Sequence, residues 1–260
     1  MTPREFISPI LSNAPLSPGY FRMALRWNSG DLPSPGQFLL VRTLEGYDPV
    51  LPRPFTAFIA TNGSVEILYK VVGKGTRLLS SLRKGERLGV IGPLGRGFHV
   101  PHTVKHAILV AGGMGIASLY SLCLSLKGRD MQCYFGAKTK SQLVVRNELK
   151  RIPDISVHLA TEDGSLGFRG IVTELVKRHS YRLRSGDTGI YACGPKAMLK
   201  EIGSLAKKKR IPCQVSLESQ MACGVGVCLG CVVPCKEENG WGYRLCCTDG
   251  PVFDAEEIIW

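Results

Sequence analysis

Residues 223–231 read Cys-Gly-Val-Gly-Val-Cys-Leu-Gly-Cys, and a Cys246-Cys247 pair follows downstream. This is Cys-x4-Cys-x2-Cys with a distant further cysteine, the plant-type spacing for a 2Fe–2S cluster. Four thiolates that converge on two irons need three donors from one tight loop and one returned from elsewhere in the chain. Gly224, Gly226 and Gly230 fill the loop. Residues without Cβ let backbone amides come close to sulfur and adopt positive φ. A cluster of this kind carries one electron at a time, so the rest of the chain is expected to show where electrons come from and go.

Cysteine has two other common uses. A zinc site with four thiolates is one, but zinc favours two separated Cys-x2-4-Cys knuckles. Cys228/Cys231 makes one knuckle; Cys231/Cys235 or Cys246/Cys247 would have to improvise the other. Disulfides are the second use. Against them, six of the ten cysteines crowd into Cys223–Cys247, as a metal site in a reducing compartment would have it. The N-terminus lacks a basic stretch followed by an apolar one, and no apolar run approaches the ~18 residues that span a bilayer. A cytoplasmic protein without membrane insertion is expected. Cys123, Cys133 and Cys213 lie in apolar-patterned segments and read as buried small hydrophobes.

The chain has 260 residues, enough for two ordinary domains and a small module. Up to about residue 100, short runs at Tyr20–Trp27, Gln37–Arg42, Phe55–Ala60, Val65–Val72 and Arg87–Ile91 alternate with Gly, Pro, Ser and Asn breaks. That rhythm predicts a small antiparallel β-barrel or sandwich. From Lys105 it changes. Strands are expected at His106–Ala111, Met131–Phe135, Ile155–Ala160, Thr188–Ala192 and Pro212–Ser216. Helices are expected at Ile116–Leu126, Ser141–Lys150, Ile171–His179 and Pro195–Lys208. Alternation of this kind implies a doubly wound parallel sheet. After about Glu218 comes a cysteine- and glycine-rich module with little helix. The expected division is 1–102, 103–217 and 218–260.

Gly112-Gly113-Met114-Gly115-Ile116 joins a strand to a helix. The glycines let backbone pass close to a ligand, and the helix start offers free N–H groups to a phosphate; a plain connection would look similar. Cys193-Gly194-Pro195 holds a cysteine at the carboxyl edge of the sheet, with proline suited to the first helical turn. Arg53-Pro54-Phe55-Thr56 opens a strand with a bidentate phosphate donor and a hydroxyl. Lys70 to Thr76, with Gly73 and Gly75, can present amides and a hydroxyl to a pyrophosphate, or be a simple turn. The net charge of +12 is spread along the chain. Its one dense run, Lys207 to Arg210, reads as the solvated last turn of a helix.

Together these residues resemble the ferredoxin–NADP reductase superfamily and, more narrowly, the electron-transfer subunits of type B dihydroorotate dehydrogenases. The resemblance covers nearly the whole length. It rests on the order Arg53–Thr56, Tyr69–Thr76, Gly92-Pro93-Leu94-Gly95, Gly112–Ile116 and Cys193–Pro195. Its sharpest parts are Met221–Cys231 and Cys247-Thr248-Asp249-Gly250-Pro251-Val252-Phe253. It implies an FAD-binding barrel, a nucleotide domain and a C-terminal 2Fe–2S module. Arg53, Pro54, Phe55 and Thr56 would hold FAD, with Leu68, Tyr69, Lys70, Gly75 and Thr76 along its ribityl and pyrophosphate. Gly112, Gly113, Gly115, Ile116, Cys193, Gly194 and Pro195 would receive NAD. Cys223, Cys228 and Cys231 would ligate the cluster. The family pattern selects Cys247 over Cys246 as the fourth ligand; neighbours in an extended segment point to opposite sides, so only one should face the cluster. Cys235 becomes a spectator.

The resemblance also implies an FMN-containing catalytic partner in a heterotetramer of two plus two. Electrons from dihydroorotate oxidation would reach NAD through the cluster and FAD, in pyrimidine biosynthesis. Nothing in the chain looks like a dihydroorotate-oxidising site, and no catalytic side chain is assigned. A ferredoxin:NAD(P) oxidoreductase or hydrogenase-type diaphorase subunit would use the same cofactors with another partner. A zinc-stapled nucleic-acid-binding protein would use the positive charge instead, but the basic runs lack interleaved aromatics, so no nucleic acid is expected. NAD against NADP stays open, because Lys138 and Lys140 follow the second strand of the nucleotide domain, where a 2′-phosphate could sit.

Overall fold

The structure, a computed structural model, describes residues 3–28, 30–44, 48–182, 185–238 and 240–260. Met1 and Thr2, where the N-terminal reading begins, lie outside them.

Six strands come first: β1 (Arg4–Ser17), β2 (Tyr20–Arg26), β3 (Phe38–Thr43), β4 (Arg53–Thr61), β5 (Ser64–Lys70) and β6 (Arg87–Leu94). They close into an antiparallel barrel in the order β1-β2-β5-β4-β3-β6. Closure leaves no free sheet edge. Alternate side chains point inward, and Met23, Leu25, Leu39, Val41, Ile67, Leu88 and Val90 fill the interior. Each is worth roughly 1.5–3 kcal/mol when fully buried.

Two features of this region depart from the expectation. β1 was not anticipated. It contains Pro9 and Pro15, buries only Ser8 and Ile10, and shifts register twice against β2, so it shows no clean alternation. The segment expected to be all-β also carries a helix, α1 (Lys74–Ser81), between β5 and β6. The Thr76 hydroxyl accepts the N–H groups of Val72 at 2.9 Å and Gly73 at 3.2 Å. That turns a glycine-rich turn into a helix start, and Leu79 then anchors the helix on the barrel.

The next region runs β7 (His106–Gly112), α2 (Ile116–Ser125), β8 (Asp130–Ala137), α3 (Arg146–Leu149), β9 (Ile155–Thr161), β10 (Phe168–Arg169), α4 (Val172–His179), β11 (Thr188–Cys193), α5 (Lys196–Lys209) and β12 (Cys213–Ser216). The last segment adds a hairpin, β13 (Val232–Glu237) and β14 (Gly240–Leu245), and a final strand, β15 (Val252–Asp254). The large sheet has the order β10-β9-β8-β7-β11-β12-β15, parallel throughout until β15 pairs antiparallel with β12. The order steps from β7 outward in both directions, as in a doubly wound sheet.

The helix expected over Ser141–Lys150 is a correction. The chain makes a short 3-10 turn at Lys140–Gln142, passes Val145 at φ 54°, and only then forms α3. Leu143, Val144 and Val145 are all buried in succession. An α-helix turns consecutive residues to different faces, so it could not bury all three against one neighbour.

One apolar core joins the three regions. Phe38, Leu40 and Leu94 of the barrel pack with Val110, Ile190 and Val215 of the sheet and with Met221, Cys231, Cys246 and Cys247 of the last segment. An ion-pair bridge adds a second tie: Arg22 on β2 pairs with Glu66 on β5 and, at 2.8 Å, with Glu148 on α3.

Candidate functional site

The cysteine loop folds against the barrel. Gly224 and Gly226 adopt φ of 71° and 83°, and an added Cβ at Gly224 would collide with Leu40. Glycine therefore lets the loop lie on the barrel wall. Within it, the Cys228 N–H donates to the Cys223 Sγ at 3.4 Å. That amide, followed by those of Val225 and Val227, brings the Cys223 thiol down to about 6. The amides do so because they stabilise the thiolate.

The other half of the site is buried. The Cys247 N–H donates to the Cys231 Sγ at 3.4 Å, and the two thiols are themselves in contact. Burial first, and then the Cys231 thiol, push Cys247 up to about 12. Cys246 points elsewhere, toward the Leu217 carbonyl at 3.5 Å, and burial lifts it to about 12 as well. The two neighbours lie in a turn at 246–249, not in the extended segment that was expected, yet they diverge all the same. Cys235 is buried on β13.

The four thiols thus form two pairs, Cys223 with Cys228 and Cys231 with Cys247. The pairs stand close enough for Cys223 to influence Cys247, and two pairs of thiols suit the donor set of a two-iron cluster.

A cleft of ≈ 400 Å³ opens between the barrel and the sheet. It collects Arg53, Pro54, Phe55 and Thr56 from β4, Leu68, Tyr69 and Lys70 from β5, Thr76, Gly115 and Cys193. Gly75 lies behind Arg53, where a Cβ would strike the guanidinium. Tyr69 is buried, and its hydroxyl donates to Asn13 at 2.9 Å. The Thr76 hydroxyl is occupied in capping α1. Burial pushes the Cys193 thiol up to about 12.

A second cleft, also ≈ 400 Å³, takes Gly112, Gly113 and Pro195 and shares Lys70 and Met114 with the first. The two clefts therefore meet. Gly112, Gly115 and Gly194 make this junction by packing main chain on main chain: a Cβ on Gly194 would stand 2.9 Å from Gly112 N, and one on Gly115 would strike the Cys193 carbonyl. Gly194 and Ile116 are buried in the wall behind. Lys138 lines the second cleft, whereas Lys140 lines a separate open groove with Arg146 and Asp163. Sequence reasoning missed Ser216, Glu218 and Met221, which also line the first cleft. Their signal was position: Ser216 ends β12 and the other two follow it, at the carboxyl ends of the strands, where ligand crevices form.

Residues 218–259 match the family model described as the iron-sulfur cluster binding domain of dihydroorotate dehydrogenase B, and residues 109–203 match the oxidoreductase NAD-binding domain. The dihydroorotate dehydrogenase B (NAD(+)) electron transfer subunit of Desulforamulus reducens is 39% identical over 230 residues, covering 87% of each chain. That of Caldanaerobacter subterraneus subsp. tengcongensis is 38% identical over 251 residues, covering 96% of each. A chain from the solved NADH-dependent reduced ferredoxin-NADP oxidoreductase superposes with a TM-score of 0.84 at 30% identity, over 97% of this chain and 90% of that one. A ferredoxin NADP+ reductase from Neisseria gonorrhoeae with bound FAD and NADP shares the fold, with a TM-score of 0.69 at 17% identity over 79% of this chain and 91% of that one. With relatives of this identity matched over most of its length, the chain belongs to the family of dihydroorotate dehydrogenase B electron transfer subunits.

Proposed function

We propose that this chain passes electrons between NAD and an FMN-containing catalytic dihydroorotate dehydrogenase subunit, by way of FAD and a 2Fe–2S cluster. The observation that carries the reading is continuity. The second cleft adjoins the first at Lys70 and Met114, and the first runs on to Met221 and Pro251 of the cysteine module. When bound, FAD supplies hydride exchange with NAD on one side and single-electron exchange with the cluster on the other.

The chain's residues do the rest. Arg53 offers a guanidinium toward FAD phosphate, with Gly75 leaving room behind it. Pro54, Phe55, Thr56 and Leu68 form the wall against which the flavin lies. Gly112, Gly113 and Gly115 keep side chains away from the nucleotide, and Pro195 opens the helix facing it. Cys193 stays a neutral thiol at that junction. Cys223, Cys228, Cys231 and Cys247 hold the cluster. On this reading residues 1–102 are the FAD domain, 103–217 the NAD domain and 218–260 the cluster module. The dihydroorotate chemistry belongs to the partner, in a heterotetramer of two plus two. The crowding of six of the ten cysteines into Cys223–Cys247 favours a reducing cytoplasm, and among the described residues no helix is long and apolar enough to cross a membrane.

The similarity to the NADH-dependent reduced ferredoxin-NADP oxidoreductase chain favours a second reading, with ferredoxin as the partner. Anaerobic purification followed by a visible spectrum with iron and flavin analysis tests the cofactors. Flavin bands with about two irons per chain are expected; a colourless protein with one zinc overturns the assignment. Cys228→Ser is expected to abolish transfer to the catalytic subunit while NADH-to-dye activity through FAD persists. Retained coupling in that variant, or reduction of ferredoxin but not of the catalytic subunit by the wild type, counts against the scheme.

A further inference from the structure

Among the described residues that line the first cleft, one is acidic: Glu218. It stands just past β12, between Ser216 at the carboxyl end of the sheet and Met221 at the entry to the cysteine loop. Glu218 is exposed, yet surrounding protein raises its carboxyl above the ordinary range by desolvation. Those two properties together describe a side chain inside a concavity, open to solvent in one direction and walled in the others.

The groups that face the same space are few. Arg53 on β4 and Lys70 on β5 are the cations that line the same cleft. Tyr69 on β5 is pushed up to about 12, first by burial, with its hydroxyl committed to Asn13. Cys193 on β11, flanked by the Ser216 and Ser118 hydroxyls, is lifted to about 12 by burial and then by the Glu218 charge. Glu218 is the one carboxyl among these groups.

The proposed function creates a need for such a group. Hydride exchange between NADH and flavin moves a proton together with its electron pair. Transfer to a 2Fe–2S cluster does not, because the cluster takes electrons alone. When a reduced flavin gives two electrons in succession to the cluster, the proton on its ring must go to a base. We propose that Glu218 is that base: its carboxylate takes the proton as electrons leave for the cluster, returns it to solvent at the cleft mouth, and supplies it when electrons flow the other way. Per flavin reoxidised, two electrons reach the cluster one after the other and one proton reaches Glu218, so charge and atoms balance. This inference rests on the first cleft being the flavin site.

The test uses the anaerobically purified, cofactor-loaded protein, as wild type, Glu218→Gln and Glu218→Asp. Reduction leaves negative charge on the flavin ring, and a nearby carboxylate is then driven toward its protonated form. Infrared difference spectra on reduction should show a protonated-carboxyl band that shifts in heavy water, disappears in E218Q and returns in E218D. Rapid-mixing kinetics should show flavin-to-cluster transfer slowed by about 10²-fold in E218Q, within the usual range for loss of a proton-transferring group, with hydride transfer from NADH changed far less. Flavin bands with no such carboxyl band, or a band that persists in E218Q, overturn the assignment to Glu218 and leave the flavin site standing. A wild type without flavin bands overturns the site and the proposal with it.

Discussion

The outer and inner pairs of site cysteines are built from the same residue by opposite means. Cys223 and Cys228 lie on an open loop, where main-chain amides hold the Cys223 thiol at about 6. Cys231 and Cys247 are 2% and 1% exposed, and burial, the larger cause, lifts Cys247 to about 12. On the proposed assignment, Cys223 is electrostatically prepared for metal by its amides, whereas Cys247 would release a proton as it binds; Cys231 and Cys247 belong to the core that joins the three regions. The surface beside the outer pair is apolar, with Val227 79% and Leu229 63% exposed. One side of the site therefore faces outward and the other is buried in the core.

The sharpest way to break this comparison is at the doubled cysteine. Cys247→Ser should remove the cluster's visible spectrum altogether, while Cys246→Ser, whose thiol turns to Leu217, should keep it; equal loss in both would dissolve the inner pair. Next in size is thiol reactivity. In the metal-free protein at pH 7, iodoacetamide should modify Cys223 about 10²-fold faster than Cys247, after the higher intrinsic nucleophilicity of the more basic thiol is allowed for. The Cys223 rate should rise as pH passes through about 6 and level off above it; a rate still climbing beyond pH 8 would show that the amides do not act. Smallest is Gly224→Ala. It forces an alanine to positive φ and pushes its Cβ into Leu40, and should lower stability by about 2 kcal/mol, read as a urea midpoint shift. An unchanged midpoint would mean that the loop does not rest on the barrel.

The cysteine pattern was legible because Cys223, Cys228 and Cys231 fall within one short stretch of sequence at a recognisable spacing. The β/α alternation from β7 onward was legible for a related reason: buried parallel strands are short continuous apolar runs, and His106–Ala111 and Thr188–Ala192 could be little else. β1 was not legible, since a mostly exposed strand with two prolines leaves no alternating trace. α1 was hidden because its start depends on the Thr76 hydroxyl reaching back to Val72 and Gly73, a contact that spacing alone does not announce. The run Ser141–Lys150 misled because its apolar residues suit a helix face, whereas Val145 at positive φ breaks the chain there. Tyr69 shows the limit at the site itself. It lines the first cleft, but the contact that turns its hydroxyl to Asn13 comes from 56 residues away in the chain.

β15 returns from the cysteine module to pair with β12, through Gln214 with Asp254, Val215 with Phe253 and Ser216 with Val252. The module is therefore an excursion between two neighbouring strands of one sheet, pinned at both ends, and not a bead on a tether. Electron hopping weakens steeply with the gap to be crossed. Here the two ends of the module are tied to one strand pair, whose register changes only in whole residue steps of about 3.3 Å. A carrier mounted in this way is moored at both ends to the sheet that bears the nucleotide cleft.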